Sequence, residues 1–278
     1  ARILWEQSGM PVRIRRAGFD CLHGTVNTLP LLPTGTSRVL TIHDLAFLRF
    51  PEHVTRKRYA YLRTVIRTSA RMADAIIVPS QSARADVHDL LGTPLDQIYV
   101  IPHGVDPHFK LASPEEIAAA RTRLGLERPY LLTVGTIEPR KNLIRLIQAY
   151  RSIATKIEHD LVLVGPSGWL TDAIEMEIAN SGLANRIRRP GFADDASLVA
   201  LYSGAASVLM PSLYEGFGLP VLEAMACGAV VVTSNVSSLP EVAGDAAILV
   251  DPLDVAAIAD GILTSMADDA QRFSLNGR

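Results

Sequence analysis

The chain has 278 residues, 48% of them hydrophobic, and a formal net charge of −2, enough apolar material for one large or two modest globular domains. A near-neutral balance argues against a general nucleic-acid binder, and no apolar run approaches the roughly 20 residues of a membrane-spanning helix. Two cysteines, Cys21 and Cys227, stand far apart without metal-ligand spacing, which fits a reducing, cytoplasmic compartment.

The chain begins close to an apolar segment, Ile3-Leu4-Trp5, and ends at Asn276-Gly-Arg just past a helical pattern, so the expectation is a chain lacking material at both ends. Arg13, Arg15 and Arg16 form a basic cluster that reads as a solvated helix end. Phe19–His23 reads as a short strand, and Arg38–Ile42 as a better one ending in His43-Asp44. Ligands gather at the carboxyl ends of strands in open α/β sheets, which makes His43, and with a weaker claim His23, a candidate. Thr55–Met72 has helical periodicity, with Tyr59, Leu62, Val65 and Ile66 on one side and Arg56, Arg63, Arg67 and Arg71 on another. That arginine face is either simply solvated or a contact for an anionic acceptor or lipid headgroups. Asp74–Pro79 reads as a strand, Ser80 or Ser82 as the cap of a helix to Leu91, and Ile98–Ile101 as a strand closed by Pro102-His-Gly-Val-Asp106.

A charge asymmetry places a domain boundary there. Residues 1–106 hold 13 Lys and Arg against 9 Asp and Glu, a net of +4, and residues 107–278 hold 14 against 20, a net of −6. Ser113 followed by Glu116 fits a capping box. Strands are then expected at Tyr130–Val134, Leu161–Val164, Ile187–Arg189, Ala206–Met210 and Ala229–Thr233, with Pro190-Gly-Phe192 as a turn. Helices are expected at Asn142–Lys156, Thr171–Asn180, Ala196–Ser203, Leu219–Cys227 and Asp254–Met266. Alternation at this spacing means a parallel, Rossmann-like sheet.

Two strand ends carry chemistry. The strand ending at Gly135 runs into Thr136-Ile-Glu-Pro-Arg-Lys-Asn142, whose adjacent cations Arg140 and Lys141 can neutralise a diphosphate and stabilise it as a leaving group. The strand ending at Met210 runs into Pro211-Ser-Leu-Tyr-Glu-Gly-Phe-Gly-Leu-Pro-Val-Leu-Glu223. Its glycines allow a tight turn into a helix whose free N–H groups face an anion. An acid such as Glu215 beside an anion site is costly unless another part of the ligand needs it. A sugar nucleotide supplies both needs, with phosphates for the amides and hydroxyls for the carboxylates.

Glu215 and Glu223, separated by seven residues inside Glu-Gly-Phe-Gly-Leu-Pro-x-x-Glu-Ala, resemble the E-x7-E signature of retaining glycosyltransferases of the GT-B fold, family 4. Gly135 to Asn142 is similar to that family's G-x-x-x-x-R-K-N motif. The looser matches are Trp5-Glu-Gln, Phe19-Asp-Cys-Leu-His23, Thr41-Ile-His-Asp44 and the Pro102–Asp106 segment, which in the family marks the crossing between domains. The resemblance implies an α/β, GT-B chain of two Rossmann-like domains facing a cleft. Residues 1–106 would be an incomplete acceptor-side domain, without the family's glycine-rich N-terminal loop, and residues 107–278 the nucleotide-sugar-binding domain, without its C-terminal crossing helix.

The resemblance also assigns roles. Arg140 and Lys141, with Gly135 and Asn142 from their motif, hold the donor diphosphate, helped by amides around Gly216, Phe217, Gly218 and Leu219. Glu215 faces the transferred sugar, Glu223 takes the ribose hydroxyls, and His43 contacts the sugar from the first domain. Gly165 and Phe192 are candidates to frame the base. No cofactor and no metal are expected, since no D-x-D motif is present and the cations can do a metal's electrostatic work. The motif wording is most similar to bacterial mannosyltransferases of polysaccharide assembly. It favours GDP-mannose, with a UDP-sugar as the other donor, and a glycan or lipid-linked acceptor at the inner face of the membrane. Two alternatives stay open: a GT-B sugar-nucleotide epimerase, and a non-catalytic nucleotide-sugar-binding fragment. A dinucleotide dehydrogenase is disfavoured, because no G-x-G-x-x-G follows a strand.

Overall fold

Tyr130–Val134 and Asp160–Val164 are buried at every position, so both faces of the sheet they form must be covered. The computed structural model, which describes residues 5–32 and 34–267, shows how. Ile3, Leu4 and the Asn276–Arg278 end lie outside the described residues. The chain divides into two compact units, Ala1–His103 and Gly104–Arg278, within the Pro102–Asp106 segment. Each is a parallel α/β sheet.

In the first unit, strands β1 (Cys21–Gly24), β2 (Ser37–Thr41), β3 (Ala75–Val78) and β4 (Ile98–Val100) lie side by side in that order, all parallel. Leu40, Ile42, Ile76 and Val78 form a core with Ile66 and Val87 from the helices Arg56–Met72 and Gln81–Leu91. The N–H of Ala83 is accepted by Ser80 Oγ at 3.0 Å, so Ser80 is the cap, and Gly92 ends that helix with φ +75°. The basic cluster falls in and near the last turn of a helix, Met10–Ala17, where cations suit the negative end of the dipole. One member of the arginine face is elsewhere employed. Arg67 is half-buried and donates to the carbonyl of Leu90 at 3.1 Å, a free acceptor at a helix end, while Arg56, Lys57, Arg58, Arg63 and Arg71 stay exposed.

In the second unit, strands β5 (Tyr130–Val134), β6 (Asp160–Val164), β7 (Ile187–Gly191), β8 (Ser207–Met210), β9 (Val231–Ser234) and β10 (Ile248–Val250) form a parallel sheet ordered β10-β9-β8-β5-β6-β7. Period-two alternation sorts their side chains. Leu131, Leu161, Leu163, Leu209 and Val232 pack with the helices Leu143–Ile153 and Val255–Met266 on one face. Leu132, Val134, Val162, Val164, Val208 and Met210 pack with Asp195–Gly204 and Leu219–Ala226 on the other. The Ser113–Glu116 capping box is present, with bonds of 2.8 and 3.2 Å.

One local expectation is corrected. Pro190 and Gly191 continue β7 rather than turning. β7 is an edge strand and its register with β6 shifts between Val162 and Val164, so a residue without an N–H is tolerated there.

Candidate active site at the strand-order reversal

From β5 the chain proceeds outward to β6 and β7, then returns to β8 on the other side of β5 and proceeds to β9 and β10. The connections leaving β5 and β8 therefore run to opposite faces, and a crevice opens at the carboxyl ends between them, where open α/β sheets bind ligands. Backbone pairing between the two strands covers Leu131–Ser207 and Leu132–Val208. Beyond it, side chains bridge. Thr133 Oγ1 donates to Leu209 O at 2.8 Å, and Asn142 Nδ2 donates to Pro211 O at 3.0 Å and Pro252 O at 2.6 Å.

Both candidate motifs occupy that crevice. After β5 the chain makes one short helical turn, Pro139–Lys141, which delivers two cations to Glu215 from the loop after β8. Lys141 Nζ lies 2.7 Å from Oε1 and Arg140 Nη1 2.5 Å from Oε2, so each carboxylate oxygen has its own cation. Arg140 also donates to Tyr214 O at 2.8 Å, and Glu138 grips its other edge through Nε at 3.0 Å and Nη2 at 2.7 Å. Two cations and two carboxylates thus balance in a buried cluster. Burial would push the Glu215 carboxyl upward, but Lys141 and then Arg140 overcome it and hold the pKa at about 2.

Glycine is required where this cluster meets the sheet. Gly135 has φ +143°, and a Cβ there would sit 3.0 Å from Lys141 Cε. Gly165, at the end of β6, has φ +141°, and its Cβ would strike Gly135 O at 2.1 Å. Gly165 is therefore a packing partner of the cation loop. Phe192 stands exposed just past β7.

The Glu215–Leu219 turn is held from behind. Glu215 N–H donates to Ser237 Oγ at 3.0 Å, and Ser238 Oγ lies 2.9 and 2.7 Å from the carbonyls of Glu215 and Phe217. Gly216 is buried within the turn. Gly218 then opens the helix Leu219–Ala226 with φ +112° and no side-chain cap. Val221 N–H turns back to Gly218 O at 2.9 Å and Pro220 has no N–H, so the Leu219 amide is the one the first turn offers to the crevice. Glu223, one turn on, is half-buried, and Tyr202 donates its hydroxyl to Oε2 at 2.9 Å. Burial raises the Glu223 pKa, against the lowering pull of Tyr202 and His108.

Asn142, counted above with the donor-binding residues, takes a bracing place. It is buried, its backbone is left-handed at φ +60°, both amide protons go to carbonyls, and Oδ1 accepts from Arg145 at 3.1 Å. Glu138, Tyr202, Ser237 and Ser238 escaped the sequence reading. Only Glu138, inside the cation motif, carried a local signal. In the first unit, His43 Nε2 donates to Thr25 O at 2.8 Å, which leaves Nδ1 as acceptor toward His103 Nε2 at 3.4 Å. His23 is spent on Thr41 Oγ1 at 2.8 Å. Among the described residues no group of three or more His, Cys, Asp or Glu is placed to hold a metal ion.

Two parallel Rossmann-like sheets in one chain define an α/β protein of the GT-B class. Residues 115–278 match the family model described as "Glycosyl transferases group 1", and residues 1–109 match "Glycosyltransferase Family 4". The chain belongs to the glycosyl transferases group 1 family.

It is similar to the O-antigen chain mannosyltransferase B of Escherichia coli, at 38% identity over 84% of this chain and 62% of that protein. It is also similar to the MMP alpha-(1->4)-mannosyltransferase of Mycolicibacterium hassiacum, at 29% identity over 95% of this chain and 66% of the other. Among solved structures, Anabaena HepE in complex with UDP and glucose superposes with a TM-score of 0.80 at 21% identity, covering 98% of this chain and 76% of HepE. The chain thus spans less than two thirds of the mannosyltransferase B length, and about a quarter of the serotype-specific E. coli mannosyltransferases to which it is 35% identical over 71% of its own length.

Proposed function

We propose that the chain carries the donor site of a retaining glycosyltransferase that moves a sugar, mannose favoured, from a nucleotide-diphosphate sugar to a glycan or lipid-linked acceptor. The observation that carries this reading is the meeting of Arg140 and Lys141 with Glu215 at the crevice between β5 and β8. The two cations are neutralised by Glu138 and Glu215. A diphosphate arriving at the uncapped helix end shares those cations, which then stabilise the charge it gains as it leaves. Glu215, with a pKa near 2, stays ionised at neutral pH. It is unsuited to donate a proton and suited to accept sugar hydroxyls and to favour a cationic transition state. The departing phosphate is then the base for same-face attack, as the family resemblance implies.

Donor identity is drawn two ways. The mannosyltransferase relatives support mannose as the sugar, which with the motif wording favours GDP-mannose, and the HepE complex with UDP and glucose supports a UDP-sugar as the other donor. For the acceptor side, the exposed Arg56, Lys57, Arg58, Arg63 and Arg71 suit an anionic acceptor or the lipid headgroups of the inner membrane face. No helix of the described residues is long and apolar enough to cross a membrane.

Titration calorimetry with GDP and UDP, beside a Glu223→Ala variant, tests the reading. Binding of one nucleotide, weaker in the variant, supports it and names the base. Absence of binding by folded protein sinks it.

A further inference from the structure

We infer that Tyr202 is a positioning residue for the donor nucleotide, holding Glu223 so that its second oxygen faces the ribose. The inference rests on the donor-site reading above and extends it to a residue outside both motifs. Tyr202 lies on the helix Asp195–Gly204 with no exposed surface, packed into the core beneath the crevice. Phe109 meets its ring edge-on, with centroids 6.1 Å apart and planes at 62°. The ring is thereby fixed, and its one polar atom is aimed at Glu223 Oε2 at 2.9 Å.

Glu223 itself is half-buried and has three side-chain torsions. A free carboxylate there would lose rotamer freedom each time it engaged a ligand. The Tyr202 hydroxyl removes that freedom in advance. It satisfies Oε2, while Oε1 has no hydrogen-bonding partner among the described residues and remains to accept hydroxyl protons. A buried phenol needs a partner of its own, so the contact serves both groups. The competing role is packing alone: Tyr202 as a core residue whose hydroxyl merely finds an acceptor. The two roles differ in what they do to ribose recognition.

The test compares GDP with 2′,3′-dideoxy-GDP by titration calorimetry, or UDP and its dideoxy analogue if the protein prefers uridine. The proteins are wild type, Tyr202→Phe, Glu223→Gln and Glu223→Asp. Tyr202→Phe keeps the buried ring and deletes only the hydroxyl. Glu223→Asp withdraws the carboxylate from an intact Tyr202, so the same coupling is broken without touching the core. Glu223→Gln is expected to weaken GDP about tenfold or more, as loss of a hydrogen bond from the ribose to a charged group, and Tyr202→Phe about fivefold, because it frees the carboxylate without removing it. Neither variant should change dideoxy-GDP binding by more than about twofold, because the ribose hydroxyls that report on Glu223 are gone. Glu223→Asp should share the pattern.

Equal weakening of GDP and dideoxy-GDP by Tyr202→Phe overturns the inference in favour of packing. So does an unchanged GDP affinity in Tyr202→Phe and Glu223→Asp when Glu223→Gln shows its full ribose-dependent loss, a result that leaves the donor-site reading standing. A Glu223→Gln protein that distinguishes GDP from dideoxy-GDP as wild type does, or a wild type that binds neither GDP nor UDP, overturns the donor-site reading and this assignment with it.

Discussion

Glu215→Gln separates the electrostatic account of the crevice from a mere packing account. The substitution keeps the side chain's size and removes its charge, so Arg140 keeps its bond to Glu138 while both Arg140 and Lys141 lose the carboxylate between them. Breaking one partner out of a buried ion cluster costs about 3–5 kcal/mol. Linkage gives a second figure. The carboxyl falls from 4.5 to about 2 on folding. At ~1.4 kcal/mol per unit that is about 3 kcal/mol.

The sign follows from the direction. A folded-state pKa below the unfolded one contributes stability that is complete above pH ~4.5 and is lost as pH falls toward 2, with about 1.4 kcal/mol gone by pH 3.5. Urea unfolding of the Gly104–Arg278 unit, followed by circular dichroism at pH 7 and pH 3.5, reads both quantities. Glu215→Gln should unfold about 1–2 M earlier at pH 7, and its gap from wild type should close by roughly half at pH 3.5. A gap of the same size at both pH values refutes the claim that the two cations hold Glu215 ionised.

Lys141→Met should weaken GDP or UDP binding by at least about tenfold and flatten the salt dependence of binding in calorimetry, because one full charge on the diphosphate is lost. Asn142→Ala should cost about 3 kcal/mol by orphaning the buried carbonyls of Pro211 and Pro252. That is a fall of about 8 °C in the melting midpoint, and an unchanged midpoint would deny the bracing place. Charge reversal at Arg63 and Arg71 should release the protein from anionic liposomes in a sedimentation assay if that face meets headgroups. Reversal at Arg67 should instead lower thermal stability, since Arg67 serves the carbonyl of Leu90.

The β strands of the second unit were legible because both faces of the sheet are covered: runs such as Leu161–Val164 are apolar without the gaps that a half-exposed strand would show. The cation loop and the glycine turn were legible for a related reason. Each is a local event in which a strand end, a glycine at positive φ and a helix start fall within about ten residues of one another. Short or atypical elements hid. The three-residue β10 has no room for a period, and Met10–Ala17 carries a proline at its start and arginines at its end.

What no local pattern could carry is strand order. Alternation predicts a parallel sheet, but it does not say that β8 returns to the side of β5. That single reversal brings residue 215 against residues 140 and 141 across more than seventy positions of chain. Once β8 lies beside β5, the carboxylate between the two cations and the buried tyrosine behind Glu223 follow from packing. Apart from Glu138, whose partner Arg140 is two residues away, the residues the sequence reading missed are those whose partners lie on other strands and helices. Motif residues mark where a ligand is met, and the supporting ones mark how the sheet's topology keeps them there.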